Sequence, residues 1–390
     1  MSIVTQTFVQ RVRLNFDFNF LASLTTILCL FGAMMVTSAS SVVSVAEHGS
    51  AWGMAQRQIG AMVIGAIGLY IFSRMSMKVL QRLAIPIATV SIAGLVLVLL
   101  IGNEVGGQKN WIDLGFANLK VQPSELGKLG LVLISAFILA NGIKYGWNDI
   151  LKIVAVVVVS AIFLVLVLLE KDLGTPMILA GIMLGVLSLS GMRKRSLFAA
   201  ACAGIIAIVG YSFVGPSYRL DRFYAWLTPE SGSGTYGYQI SHGQYALADG
   251  GIFGNGLGQS SEKWGALPAA HTDFILSIVG EELGLFGTMG VMFFLMAIIW
   301  SGFRIAEKAT NDFGRIAAFG ITTWIAVQTI INVGAIVRFL PITGVTLPFV
   351  SYGGSSLIPA MCGIGILLAV ARETSKQANT LRNQFEEVNE

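Results

Sequence analysis

The residues best suited to chemistry crowd into GALPAAHTDFILSIVGEELGLFG, from Gly265 to Gly287. His271, Thr272 and Asp273 stand where a polar loop gives way to an apolar run, and Glu281 and Glu282 follow on the same stretch. A carboxylate at a water–lipid boundary is placed to act as a general base toward a hydroxyl. The competing reading is local: Thr272 or Asp273 caps the following helix, a very common use of these residue types. Glu281 comes eight residues after Asp273, about two helical turns along the same side, and a structural role suits one of the two glutamates better than a catalytic one. Zinc is disfavoured, because the chain has three histidines and no cysteine near His271.

Three further clusters carry polar groups. In GGQKNWIDLGFANLKVQPSELGK (106–128), Pro123, Ser124 and Glu125 read as a helix start, and Glu125 and Lys128 share a face three residues apart. An ionisable group inside a membrane span costs about 2.5–3.5 kcal/mol at its centre, so such a pair is either mutually satisfied or functional. LLEKDLGTP (168–176) sets three charges between apolar runs, with Asp172 as a helix cap or a cavity residue. In VRFLPITGVTLPFVSYGGSS (337–356), prolines and glycines forbid a regular helix. Irregular backbone at membrane depth survives only where it is buried in protein or lines a watery cavity. A re-entrant loop follows, with Arg338, Ser351 and Ser355 as polar contacts. Arg219 and Arg222, in YRLDRFYAWLTP (218–229), are suited either to a phosphate or pyrophosphate or to anionic headgroups in general.

The elements that must hold these residues are membrane helices. Of 390 residues, 55% are hydrophobic and 12% charged, and the mean hydropathy is +0.75. Continuously apolar runs near the roughly 20 residues of a bilayer crossing predict about ten helical spans, at 20–40, 54–73, 83–101, 124–142, 152–169, 173–191, 197–214, 272–302, 315–337 and 354–371. The fold class is therefore an all-α integral membrane protein with a large extracytoplasmic loop between helices 7 and 8. The domain reading is a stub (1–19), one membrane domain (20–372, with the loop at 215–271) and a tail (373–390). The stub and tail are expected to be cytoplasmic, short and polar. The first span is too long, and lacks a small-residue cleavage site, to be a removable signal peptide.

With both termini in the cytoplasm, basic residues mark every cytoplasmic segment, as the positive-inside rule requires. They are Arg11 and Arg13; Arg74, Lys78 and Arg82; Lys144 and Lys152; Arg193, Lys194 and Arg195; Arg304, Lys308 and Arg315; and Arg372, Lys376 and Arg382. The net charge of +4 thus reports topology, and no nucleic-acid partner is implied. The connections 41–53, 103–123, 215–271 and 338–353 then fall outside, and the longest, 215–271, shows no obvious helix or strand pattern. GIFGNGLGQ (251–259) lacks a preceding strand and a following GK[ST], so it is no nucleotide cradle. Chemistry on that face requires a substrate that arrives already activated. Cys29, Cys202 and Cys362 fall inside spans and read as packing residues.

In their order, QPSELGK, GYQ…GGIFGNGLGQS…LPAAHTDFI…GEELG and LPITGVTLPFVSYGGSS resemble the SEDS family (shape, elongation, division and sporulation), over nearly the whole chain from about Phe20 to Arg372. ADGGIFGNGLGQSSEKWGALPAAHTDF and TLPFVSYGGSSL are closer to the division branch than to the elongation branch, whose polymerases are the alternative. The resemblance implies a ten-helix, inverting peptidoglycan glycosyltransferase of the bacterial cytoplasmic membrane. Such an enzyme polymerises lipid II on the outer face, for septal wall synthesis. It implies Asp273 as the catalytic acidic residue, with Glu125, Lys128 and Asp172 around a central cavity. His271, Lys109, Arg219, Arg222, Lys263, Arg338, Ser351 and Ser355 complete the candidate substrate contacts. The implied partners are a class B penicillin-binding protein, which supplies transpeptidation, other division proteins and membrane lipids. No organic cofactor is implied; Mg2+ or Mn2+ is the candidate ion, with no ligand set assigned. Where relatives often read RRW, this chain reads QKNW (108–111), so only Lys109 keeps a positive charge there. A lipid II flippase with the same cavity and a non-catalytic scaffold are the competing functions.

Overall fold

The computed structural model describes the backbone of residues 3–105, 107–113, 115, 120–213, 217–229 and 235–389. The side chains of Arg11, Arg13 and Arg382, part of the basic pattern above, lie outside the described set. In chain order the elements are α1 (Ile3–His48), α2 (Gly53–Arg74), α3 (Met77–Ile101), β1 (Asn103–Val105), β2 (Gln108–Asp113), β3 (Lys120–Val121), α4 (Pro123–Lys144) and α5 (Asp149–Leu169). Then come α6 (Gly174–Ser188), α7 (Lys194–Phe213), α8 (Ser217–Leu227), α9 (Thr235–Asp249), a single 3-10 turn (Glu262–Trp264), α10 (Ile275–Lys308), α11 (Asp312–Ile336) and α12 (Gly354–Asn389).

Among the described residues nine helices are long and apolar enough to cross a membrane, and α6 is a shorter apolar helix. Each expected span therefore has its helix. Several helix starts use the signals that polar side chains supply. Asn148 accepts from Leu151 N at 2.8 Å to open α5, and Asn311 accepts from Gly314 N at 2.6 Å to open α11. Pro123 opens α4, where a missing N–H costs nothing. The helical backbone also continues through 3–19 and 373–389, the segments read as stub and tail.

α4, α11 and α12 form the interior, with two thirds or more of their most apolar stretches buried; α7 buries none of its own. Leu131, Val132 and Leu133 of α4, Ile316 and Ile321 of α11, and Ile364 and Leu367 of α12 are wholly buried. Because lipid is as apolar as leucine, close packing rather than hydrophobicity holds such helices together. A Cβ on Gly365 of α12 would stand 2.5 Å from Leu69 O of α2, so only glycine permits that approach. Outward-facing Val63, Ile64 and Ile67 on α2, and Phe293 and Met296 on α10, are exposed, as lipid-facing positions must be.

Every long connection gathers at one end of the bundle, and two of them differ from expectation. The 103–123 connection contains a three-stranded antiparallel sheet in the order β1-β2-β3. It pairs Glu104 with Lys109 and Val105 with Gln108, then Ile112 with Val121. The fold is thus helical with one small sheet. The 215–271 connection contains α8 and α9; its helical pattern is short and masked by glycine and polar residues.

α10 is also longer than expected and is broken at Gly284, whose φ of 68° and ψ of −163° leave the helix. The break frees backbone groups that the loop satisfies. Asn255 N and Gly256 N donate to Glu281 O and Glu282 O at 2.9 Å, while Leu285 N donates to Gly251 O at 2.9 Å. The glycine-rich 251–258 segment, a run of turns, is therefore a splint on a kinked helix. It fastens the loop to α10 at the kink, about two to three turns along from Asp273.

Candidate active site

A cavity of about 280 Å3 opens at the connection-rich end, near the lower bound for small-molecule pockets. Its walls come from β2 (Gln108, Asn110, Trp111), the start of α4 (Gln122, Glu125), the α5–α6 corner and α6 (Asp172, Thr175, Ile178), the turn before α10 (Thr272, Asp273) and the irregular 337–353 segment with the start of α12 (Thr343, Gly344, Val345, Thr346, Tyr352, Gly353, Ser355, Ser356). Sequence-distant carboxylates Glu125, Asp172 and Asp273 meet here. Among the described residues, no lysine, arginine or histidine lines the cavity.

The three carboxylates are satisfied very differently. Asp172 accepts from Gly174 N at 2.9 Å and from Thr175 Oγ1 at 2.7 Å, so it caps α6 while facing the cavity. Glu125 sits 2.7 Å from Lys128 Nζ, one turn deeper on α4. Lys128, itself buried, donates to Gln328 Oε1 at 3.0 Å; Gln328 accepts from Trp324 Nε1 at 2.7 Å and donates to Thr346 O at 2.9 Å. That chain ties α4 through α11 to the irregular segment.

Asp273 receives only the hydroxyl of Thr272, at 2.8 Å, as a side-chain donor among the described residues. It does not cap α10, whose first residues take no side-chain cap. Its position is fixed through the backbone instead. Asn332 Nδ2 of α11 donates to Asp273 O at 2.8 Å and to Val345 O at 2.7 Å, joining the Asp273 turn to the irregular segment. Burial raises the Asp273 carboxyl above the usual carboxylate range; the Thr272 hydroxyl, the backbone N–H and the Arg222 charge lower it in part. A carboxylate so held is a stronger base than an exposed one.

Most of the other expected contacts are placed elsewhere, while Ser355 and the His271 backbone stay at the cavity. Lys109 points away, its ammonium donating to Leu99 O at 2.7 Å and Leu100 O at 3.3 Å at the end of α3. Strand alternation sends Gln108 and Asn110 inward and Lys109 outward. Lys263 donates to Gly258 O at 2.6 Å and pairs with the buried Glu282 at 3.2 Å, fastening the loop. Arg338 donates to Trp226 O at 3.1 Å and Leu227 O at 3.0 Å, closing the end of α8. Ser351 accepts from Leu347 N at 2.8 Å inside the irregular segment. Arg219 lies over the Tyr211 ring at 3.9 Å and donates to its hydroxyl, and Arg222 lies over the Tyr236 ring at 4.9 Å. His271 adjoins the cavity through its carbonyl, which accepts from Tyr352 N at 2.9 Å. Ser355 lines the cavity and donates to Lys120 O at 3.1 Å.

Among the described residues, no three of His, Cys, Asp and Glu converge to hold a metal ion. With Glu125 paired and Asp172 committed to α6, the cavity's donor set does not fit a protein-ligated Mg2+ or Mn2+. The neutral contacts Gln108, Asn110, Trp111, Tyr352, Gln328 and Asn332 were not singled out from sequence. Charge and hydropathy do not mark them, although the period-two pattern of a strand would have paired Gln108 with Asn110.

The chain matches the FtsW, RodA and SpoVE family, described as cell cycle proteins, over residues 19–376. It is 35% identical to the probable peptidoglycan glycosyltransferase FtsW of Mycobacterium tuberculosis over 368 residues, covering 94% of this chain and 70% of that one. It is 33% identical to the probable peptidoglycan glycosyltransferase FtsW of Bacillus subtilis, covering 92% of this chain and 91% of the other. A solved chain from a peptidoglycan synthase complex superimposes with a TM-score of 0.70 at 26% identity, covering 91% of this chain and 97% of that one.

Proposed function

The chain belongs to the FtsW, RodA and SpoVE family of cell cycle proteins, and we propose that it is a peptidoglycan glycosyltransferase that polymerises lipid II at the outer face of the cytoplasmic membrane, in the division branch. The observation that carries this reading is Asp273: a carboxylate that, among the described residues, takes one side-chain donor, held in a cavity beside Glu125, which is paired with Lys128, and Asp172, which is bonded to the first turn of α6. The cavity's end of the bundle is the outer one and both termini are cytoplasmic, in keeping with the basic residues at the opposite helix ends. A class B penicillin-binding protein is the partner, in keeping with the synthase complex that superimposes on this fold.

The chemistry follows from what each group can still do. The 4-hydroxyl of the acceptor sugar gives its proton to a carboxylate oxygen of Asp273. Its oxygen attacks the anomeric carbon of the donor, the bond from that carbon to the pyrophosphate oxygen breaks, and undecaprenyl pyrophosphate departs with the electron pair. An α-linked donor gives a β-1,4 bond by inversion. Glu125 is engaged by Lys128 and Asp172 by the start of α6, which leaves Asp273 as the cavity carboxylate with an oxygen free to meet the acceptor hydroxyl. The leaving group is anionic, and Arg222, whose charge is felt at Asp273, is the cation placed to face it; among the described residues the cavity wall itself carries none. Any Mg2+ or Mn2+ would be carried by the phosphates themselves.

Purified protein with its partner, given lipid II in detergent, is expected to form glycan polymer, and Asp273→Asn is expected to form at least about 10²-fold less while remaining monodisperse. A lipid II carrier would move substrate between leaflets without making polymer, and a scaffold would leave Asp273→Asn silent in cells; either result overturns the assignment.

A further inference from the structure

Two side chains on β2 leave hydrogen-bonding capacity inside the cavity. Gln108 and Asn110 are two residues apart on one strand face, and Asn110 Nδ2 donates to Gln108 Oε1 at 3.1 Å. That bond uses one atom from each amide. Gln108 Nε2 and Asn110 Oδ1 are buried and make no hydrogen bond, although both residues line the cavity. The result is a donor and an acceptor side by side on one wall. The pattern survives any exchange of amide O and N: if both amides are turned, the mutual bond is kept and one donor and one acceptor still remain. Thr343 Oγ1, on the facing segment, is likewise buried without a partner.

Leaving such groups unmade costs about 1–3 kcal/mol each, which marks them for a ligand or for water. A donor beside an acceptor complements a secondary amide, whose carbonyl accepts and whose N–H donates. Carboxylates and phosphates accept only, so they would leave Asn110 Oδ1 facing a lone pair. The rest of the wall agrees, being anionic or neutral, with Trp111 and Tyr352 as apolar ring faces. We propose that the Gln108–Asn110 pair recognises the acetamido group of an N-acetylated sugar and so orients the acceptor beside Asp273. This rests on the glycosyltransferase reading and adds the group that the cavity reads. It also gives the QKNW sequence a positive meaning: neutral amides stand where a phosphate site would need cations.

The test compares lipid II with its de-N-acetylated form, which carries a free amine, on the full chain and on Gln108→Met and Asn110→Leu. The unaltered protein is expected to lose roughly tenfold in kcat/KM on the amine substrate, about two neutral hydrogen bonds. The variants are expected to raise KM about tenfold on lipid II, with kcat changed less than twofold, and to stop discriminating between the two substrates. Variants that keep full discrimination overturn the proposal and leave the free amide atoms to water. A stem-peptide truncation that removes the variants' effect overturns it in favour of a peptide bond as the amide read. Saturation-transfer NMR with N,N′-diacetylchitobiose, for which the full chain gives signal and Gln108→Met does not, reads the site without turnover. Absent polymer with every substrate would sink the glycosyltransferase reading, while polymer formation together with a chitobiose signal that Gln108→Met keeps would sink only this inference.

Discussion

Asp273 and Glu281 lie eight residues apart, both carboxylates, both taken largely from solvent, yet they have opposite surroundings. Glu281 accepts from Ser260 Oγ at 2.5 Å, from Ser261 N at 2.5 Å and Oγ at 2.8 Å, and from Glu262 N at 3.3 Å. Its neighbour Glu282 takes Ser38 Oγ at 2.6 Å and Lys263. Asp273 takes one hydroxyl and faces a cavity. A carboxylate whose oxygens are taken up by loop donors serves as a fastening. One left short of partners, with a raised proton affinity and space before it, can serve as a base. Residue type and hydropathy are alike in the two places; hydrogen-bond supply separates them.

That contrast can be broken in several ways. The largest effect is expected at Asp273: Asn keeps the shape and the bond from Thr272 but not the proton affinity. Polymer formation should fall by about 10²–10⁴-fold, the range for a general base, with the melting temperature in detergent unchanged. Lys128→Met should strand Glu125 beside the cavity and cost about 3–5 kcal/mol, seen as a lower melting temperature, and pairing it with Glu125→Gln should recover most of that loss. Glu281→Ala should act on the fold and not on the proton: it strips the 260–262 backbone of its acceptor, costs about 3 kcal/mol, and makes the 250–263 loop sensitive to protease.

An effect that depends on pH is expected at Glu170, which follows α5 and is wholly buried with neither carboxyl oxygen bonded among the described residues. Burial, and then the charge of Asp172, push its carboxyl up to about 9. A raised carboxyl favours the fold fully below its unfolded value of 4.5, and that advantage is lost as pH climbs toward 9. Glu170→Gln should therefore raise the melting temperature modestly at pH 8 and less at pH 5.

The helices and the order of polar clusters were legible in the chain because apolar runs of bilayer length and proline- or glycine-marked starts are local signals. Asp273, Glu125 and Asp172 were legible because charge is rare in such a chain. What could not be read was direction. Lys109, Lys263 and Arg338 are cations at the cavity's end of the bundle, yet each turns to carbonyls or to Glu282 away from the cavity, a matter of strand phase and loop closure. Asp172 could be read either as cap or as cavity residue, and it is both. Asn332 and Gln328 escaped notice because a neutral amide inside an apolar helix looks like noise until its partners on other elements are known.

The central claim is that Asp273 takes the acceptor's proton, and the pH dependence of glycan formation at saturating lipid II tests it most directly. The account predicts an acid limb with its midpoint above 3.8, the ordinary aspartate value, and no such limb in the residual polymerisation that Asp273→Asn retains. A rate that stays level from neutral pH down to the ordinary carboxylate range, or a limb that persists in Asp273→Asn, would contradict it.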